Sequence, residues 1–152
     1  MTMKKPEDLS LRQATSSDLP FLIQLRRITM YRVVMNHGSW DEDVQRDRIM
    51  AHFEFARIIQ WRGRDVGLFK VVDAENEVEL VQIQILPEFQ SKGIGTQLIT
   101  RLQEERANAG KPITLCVLHS NPAFALYARL GFEVIASDNH LHTMRWAPKG
   151  PR

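Results

Sequence analysis

The chain has 152 residues, 43% of them hydrophobic and 25% charged, with a net charge of +2. That length suits one domain with a closed core and is too short for two, and the charge excludes the strongly basic face of a nucleic-acid binder. No apolar run is long enough to span a bilayer. Cys116 is the single cysteine, so no internal disulfide can form; its strand-like surroundings predict a buried, inert thiol. Met1 to Arg12 is charged and lacks the apolar centre of a signal peptide, so the expected setting is reducing and cytoplasmic.

Leu9 to Arg12 alternates as a strand. Ser16-Ser17-Asp18 then caps a helix whose inward stripe runs through Leu19, Leu22, Ile23, Leu25 and Ile28, and which fades near Asn36-His37-Gly38. A second helix opens at Ser39 or Asp41 with acids in its first turn, and Val44, Arg48, Ile49 and Phe53 mark its inner side. Three strands follow, 57–62, 66–73 and 77–86, joined by short turns as an antiparallel meander. The period then changes. Residues 93–109 read as a helix with Ile94, Leu98, Ile99 and Leu102 on one side, stopped by Gly110 and Pro112. A strand at 113–118, a short helix at 121–130 and a hairpin over 132–137 and 141–146 complete the order β-α-α-β-β-β-α-β-α-β-β. The strand–helix–strand unit over 77–118 implies one parallel pair, hence a mixed sheet in an α/β (α+β) fold. With no repeat or linker, residues 1–152 form one domain, with its core at about 9–146 and a loose tail at 147–152.

Two segments point to chemistry. In the third strand of the meander, apolar positions switch from Val78 and Leu80 to Val81, Ile83 and Ile85. A one-residue slip turns every side chain over, and a β-bulge absorbs it. With a bulge, Glu77, Glu79, Gln82 and Gln84 share one face. Gln90-Ser91-Lys92-Gly93-Ile94-Gly95-Thr96 then bridges this strand and the long helix. Two glycines allow a tight turn, and successive N–H groups at a helix start form an anion cradle, to which Lys92 adds charge and Thr96 a hydroxyl. The loop lacks the Gly-Lys-Ser/Thr of a P-loop and the third glycine of the dinucleotide fingerprint.

Gln90-Ser91-Lys92-Gly93-Ile94-Gly95 resembles the Q/R-x-x-G-x-G/A signature of the GNAT superfamily of N-acetyltransferases. Residues 81–89 resemble the strand and turn leading into it, and Asn121-Pro122-Ala123-Phe124-Ala125-Leu126-Tyr127-Ala128-Arg129-Leu130-Gly131-Phe132 is similar to the family's next motif. The resemblance implies a fold with two splayed central parallel strands, here 77–86 and 113–118, that admit the pantetheine arm of acetyl-CoA. It implies that the backbone of Ile83, Ile85 and Leu86 pairs with the pantetheine amides, that the amides from Lys92 to Thr96 (Lys92, Gly93, Ile94, Gly95, Thr96) take the pyrophosphate with Gln90 and Ser91 also on the cofactor, and that Asn121 bonds the arm. Asn121 also reads as a plain helix cap.

For catalysis the resemblance places Tyr127 over the thioester sulfur, where a phenol protonates or hydrogen-bonds the leaving thiolate. Glu79, eleven residues before Gln90, is the candidate base, with Glu77 or a water relay as alternatives. Either carboxylate also reads as a solvated strand end. Acceptor choice in this fold falls to the first two helices, so Tyr31, Trp40 and Asp41 are acceptor-site candidates; packing aromatics and a cap acid account for them equally well. His37, His52, His119, His140 and His142 are scattered, with no HExxH or Cys/His cluster, so no metal is expected. The resulting expectation is an N-acetyltransferase using acetyl-CoA, with no metal, on an amine of unspecified class. No nucleic-acid or membrane partner is expected, and exposed edge strands make a homodimer an open expectation. The competing reading is a non-catalytic acyl-CoA sensor.

Overall fold

The computed structural model describes residues 7–149, so the last three residues of the anticipated tail lie outside it. One seven-stranded sheet forms the body. Its strands are β1 (Leu9–Gln13), β2 (Ala56–Trp61), β3 (Arg64–Asp73), β4 (Val78–Ile85), β5 (Ile113–Leu118), β6 (Glu133–Ser137) and β7 (Leu141–Trp146), in spatial order β1-β2-β3-β4-β5-β7-β6. Among the described residues only β4 and β5 pair in parallel. Helices α1 (Leu19–Met35) and α2 (Glu42–Met50) cover one face of β2 and β3, where Leu22, Leu25, Ile49, Ala56, Ile58 and Leu68 close a core. Helices α3 (Ile94–Ala107) and α4 (Ala123–Arg129) cover the other, burying Ile94, Leu98, Ile99 and Leu102 against Leu80, Ile113 and Leu115. These four α3 residues are the stripe read from the sequence. The fold is the mixed α/β arrangement expected from the element order.

The bulge is present. Lys70 pairs with Gln82 and Val71 with Leu80, so Val81 has no partner on β3. Glu79, Gln82 and Gln84 therefore lie opposite Val72, Lys70 and Leu68, all on the α1–α2 side, as the parity switch predicted. Two of these polar groups are covered rather than solvated. Gln82 and Gln84 are 9% and 7% exposed, and Gln82 donates to Arg48 O.

Several single-residue readings are corrected. Val44 is 45% exposed and Arg48 is also exposed, while Gln45 takes the inner position beside Ile49. Gln45 does so because the Arg26 Nε–H donates to its Oε1 at 2.7 Å, and Arg26 is buried. Burial, followed by the charge of Arg48, pushes the Arg26 guanidinium down to about 10. Ile28 leaves the α1 core stripe and is 48% exposed. Cys116 is exposed, with Sγ 3.7 Å from Thr143 Oγ1. The alternation of β5 sends Ile113, Leu115 and Val117 toward α3 and α4, and the opposite face at Cys116 lies beyond the core under α1 and α2.

Lys70 is the least expected core residue. It is wholly buried on β3, where its ammonium donates to Ile49 O (2.8 Å), Ala51 O (2.7 Å) and Arg48 O (3.3 Å). These are carbonyls that the end of α2 leaves without helical partners, so Lys70 acts as a cap delivered from the sheet. Burial, then the charge of Arg26, brings its pKa down to about 8.

Candidate active site

The parallel pair is short. β4 and β5 match only at Val78↔Ile113 and Glu79↔Thr114, after which β5 pairs with β7 along its whole length. From the bulge onward β4 thus has a bare edge. The Leu86 N–H donates to Val66 O on the β3 side, so alternation turns the backbone groups of Ile83 and Ile85 to that edge. The Ile85 carbonyl accepts from Gln90 Nε2 at 2.9 Å, which leaves the Ile83 groups and the Ile85 N–H open. Leu86 was expected to share this role and does not, since its N–H is committed to β3.

After a 3₁₀ turn over Pro87–Lys92 the chain passes through Gly93 at φ 72°, a left-handed conformation that glycine adopts without Cβ strain. α3 starts with no side-chain cap. Its first N–H groups therefore have no acceptor and point along the axis with the positive end of the helix dipole. Gly95 brings α3 close to α4. A Cβ there would stand 3.2 Å from Leu126 Cδ2 on α4 and 3.8 Å from Ile85 Cδ1.

The splay opens into a cleft of about 1170 Å³ lined from α1, β4, the loop, the β5–α4 joint and α4. Single-ligand pockets hold roughly 300–1000 Å³, so this space takes more than one small molecule. Of the residues singled out in the sequence, the cleft brings together Ile83, Ile85, Gln90, Ser91, Gly93, Gly95, Thr96, Asn121, Tyr127 and Tyr31. It leaves out Leu86, Lys92 and Ile94: Lys92 Nζ sits 5.8 Å from the Trp61 ring centroid, and the Ile94 side chain is wholly buried in the core. The Asn121 side chain accepts from the Ala123 N–H, so its cap role is realised at the wall of the cleft.

Tyr127 is 6% exposed yet reaches the cleft. Its ring packs edge-on to Phe132 with centroids 6.0 Å apart, and burial pushes its phenol up to about 12. Glu79 is exposed at the paired end of the two strands and does not line the cleft, nor does Glu77. Trp40 and Asp41 also lie outside it. Trp40 packs on Tyr31 with centroids 5.4 Å apart, and the Asp41 carboxylate accepts from the Asp43 and Val44 N–H groups as the α2 cap.

Four histidines remote in sequence gather behind one wall. His37 Nε2 is 3.0 Å from Ser120 Oγ, and His37 Nδ1 is 3.3 Å from His140 Nδ1. His119 and His142 stack with centroids 4.1 Å apart. Ser120 Oγ also donates to Val33 O, which leaves its oxygen free to accept from His37. His37 Nδ1 and His140 Nδ1 lie within hydrogen-bond distance of each other. The chain of bonds ties the end of α1 to the β5–α4 joint. Only the sheet order brings these residues together; nothing in their spacing marks them. No three His, Cys, Asp or Glu side chains among the described residues converge to hold a metal ion.

A family model described as an acetyltransferase (GNAT) domain matches residues 51–134. The chain belongs to the GNAT acetyltransferase family. The match runs from just after α2 to the start of β6 and so includes the loop, the splayed strands and Tyr127. Solved structures agree in fold. An N-acetyltransferase of Thermoplasma acidophilum in complex with coenzyme A is 19% identical, with a TM-score of 0.71 over 93% of this chain and 99% of that one. The ribosomal-protein-S18-alanine N-acetyltransferase of Escherichia coli is 19% identical, with a TM-score of 0.67 over 95% and 96%. A Salmonella typhimurium acetyltransferase that modifies the N-terminal serine of ribosomal protein L7/L12 is 17% identical, with a TM-score of 0.70 over 95% and 97%. At these identities the likeness is one of fold, and their acceptors belong to them. Among curated proteins none matches the chain. No helix among the described residues is long and apolar enough to cross a membrane.

Proposed function

We propose that this GNAT-family protein is an N-acetyltransferase that binds acetyl-CoA in the β4–β5 splay and passes the acetyl group to an amine. One observation carries the reading: a bare β4 edge, an uncapped α3 start and a buried phenol face the same cleft. The Ile83 backbone groups and the Ile85 N–H would take the pantetheine amides as an added strand. The amides of Gly93 to Thr96 would take the diphosphate, as helix N-termini take anions.

The amine nitrogen attacks the thioester carbonyl carbon, a C–N bond forms, and the C–S bond breaks with its electron pair leaving on sulfur. The nitrogen loses one proton. No carboxylate is among the residues lining the cleft, so that proton leaves through water, or the amine enters already neutral. At the sulfur end the phenol acts as a hydrogen-bond donor. A thiol has an ordinary pKa of ~8.5, far below a phenol held at about 12, so the proton stays on Tyr127 while its bond stabilises the thiolate. Solvent then protonates the released thiolate.

The test is release of free thiol from acetyl-CoA against a panel of primary amines, with the acetylated product identified by mass. Amine-dependent release supports transfer. Tight uptake of acetyl-CoA with no release on any amine supports the sensor reading, which the lack of a lining carboxylate favours.

A further inference from the structure

The charge of the cleft is one-sided. Arg27, Arg32 and Arg129 line it, and among the described residues no Asp or Glu does. These three arginines differ in what they face. Arg27 on α1 is paired with Glu42 at the start of α2. Arg32 and Arg129 have no carboxylate partner among the described residues. Asp41, beside Glu42 at that joint, is committed to the α2 backbone.

The two arginines without a partner are carried at opposite ends of α4. The turn of α1 that carries Arg32 is fixed by the Ser120 Oγ bond to Val33 O, just before α4 begins. Arg129 is the last residue of α4, six residues beyond Ala123 and so about 9 Å along the helix axis. It lies one turn past Leu126, the residue against which Gly95 of α3 packs. Arg129 thus belongs to the α3 end, where the phosphates of the donor would sit. Arg32 belongs to the other end, beside Tyr31 and Ile28, which are 43% and 48% exposed.

We infer that the acceptor is an amine that also carries a carboxylate, and that Arg32 selects it. The inference rests on the proposed transferase reading and names the substrate class for the same cleft. A guanidinium fork matches a carboxylate with two parallel hydrogen bonds, while a polyamine or other polycation would meet like charge and find no acid to hold it. Ile28 and Tyr31 give the rest of the acceptor an apolar wall. The carboxylate can come from a free amino acid or from an acidic side chain near a peptide N-terminus, and the assay separates these sources.

The experiment measures kcat/KM for matched pairs: alanine, leucine, phenylalanine and glutamate against their amides, and short peptides with aspartate against asparagine at the second position. Amides carry the less basic amine and start with the chemical advantage, so the comparison is biased against the inference. The expected result is at least a tenfold preference for the carboxylate member of one set, which identifies the source. Arg32→Gln should shrink that ratio at least tenfold, mainly through KM, and Arg32→Lys should shrink it less, since it keeps the charge and loses the fork. Arg32 is exposed, so both variants should melt with the parent. Preference for amides or polyamines, or a ratio unmoved in Arg32→Gln, overturns the inference and leaves the transferase reading standing. No transfer to any acceptor, with coenzyme A uptake intact, overturns both.

Discussion

Replacing Tyr127 with phenylalanine removes one oxygen from a side chain that is 6% exposed and leaves the ring against Phe132. Among the described residues no hydrogen bond engages that hydroxyl, so the fold loses little: less than about 1 kcal/mol, the scale of one neutral hydrogen bond. The cost should fall on the reaction. A hydrogen bond to a charged partner is worth about 1.5–3 kcal/mol, and each 1.36 kcal/mol is a decade in rate. Tyr127→Phe should therefore lower turnover about 10- to 150-fold while the dissociation constant for acetyl-CoA moves less than about threefold. The raised phenol adds a pH signature. With Tyr127 protonated up to about 12, no limb near pH 10 should belong to it, and the profiles of Tyr127→Phe and the parent should be parallel. The assay is thiol release from acetyl-CoA at saturating amine, with calorimetry of acetyl-CoA binding alongside. Turnover within threefold of the parent removes the phenol from the mechanism. A basic limb near pH 10 present in the parent and absent from the variant refutes the raised phenol value and leaves the donor role in place.

Three further outcomes follow from packing and charge. Gly67→Ala places a Cβ 2.3 Å from Gln84 O and 3.2 Å from Ile85 Cα, both backbone atoms of the strand that edges the cleft; destabilisation of about 3 kcal/mol is expected, read as a drop of roughly 6–12 °C in melting temperature. Lys70 titrates near 8 when folded and at its ordinary 10.5 when unfolded, so the unfolded chain holds the extra proton between those values and stability rises with pH across that window. Urea unfolding from pH 8 to 10.5 should show this rise, of no more than about 3 kcal/mol, and Lys70→Met should lack it. The Arg12 guanidinium beside Asp18 holds its carboxyl below the usual carboxylate range, and Asp18 also accepts from the Thr15 N–H. That stabilisation is complete above the unfolded value of ~3.9 and is lost as pH falls through the lowered folded value, so Asp18→Asn should lose stability at neutral pH and show a shallower acid limb.

Readings that rested on period were sound where one face met one core. The stripe of α3 and the parity switch in β4 gave the buried set of the helix and the bulge because each is set by local geometry. The same reasoning failed for Val44 and Ile28. α2 uses its inner position for Gln45, which serves Arg26, and α1 turns part of its apolar surface to a cleft rather than a core. Nothing in the pattern around Lys70 signals its burial, because the carbonyls it serves lie some twenty residues earlier in the chain. In the site, the glycine loop and Tyr127 were legible from motif residues. Leu86 was not, since which side its N–H faces depends on pairing with β3. Glu79 shares the polar face the bulge creates, but face alone does not fix depth, and it stands where the strands are still paired.

The account depends on the β4 edge and the α3 start holding acetyl-CoA together. Amide hydrogen exchange with and without acetyl-CoA addresses this segment by segment. Slowed exchange confined to residues 83–85 and 91–96, with β1 and β2 unchanged, is the expected result. Unchanged exchange in those segments at saturating acetyl-CoA, in folded protein, would contradict it.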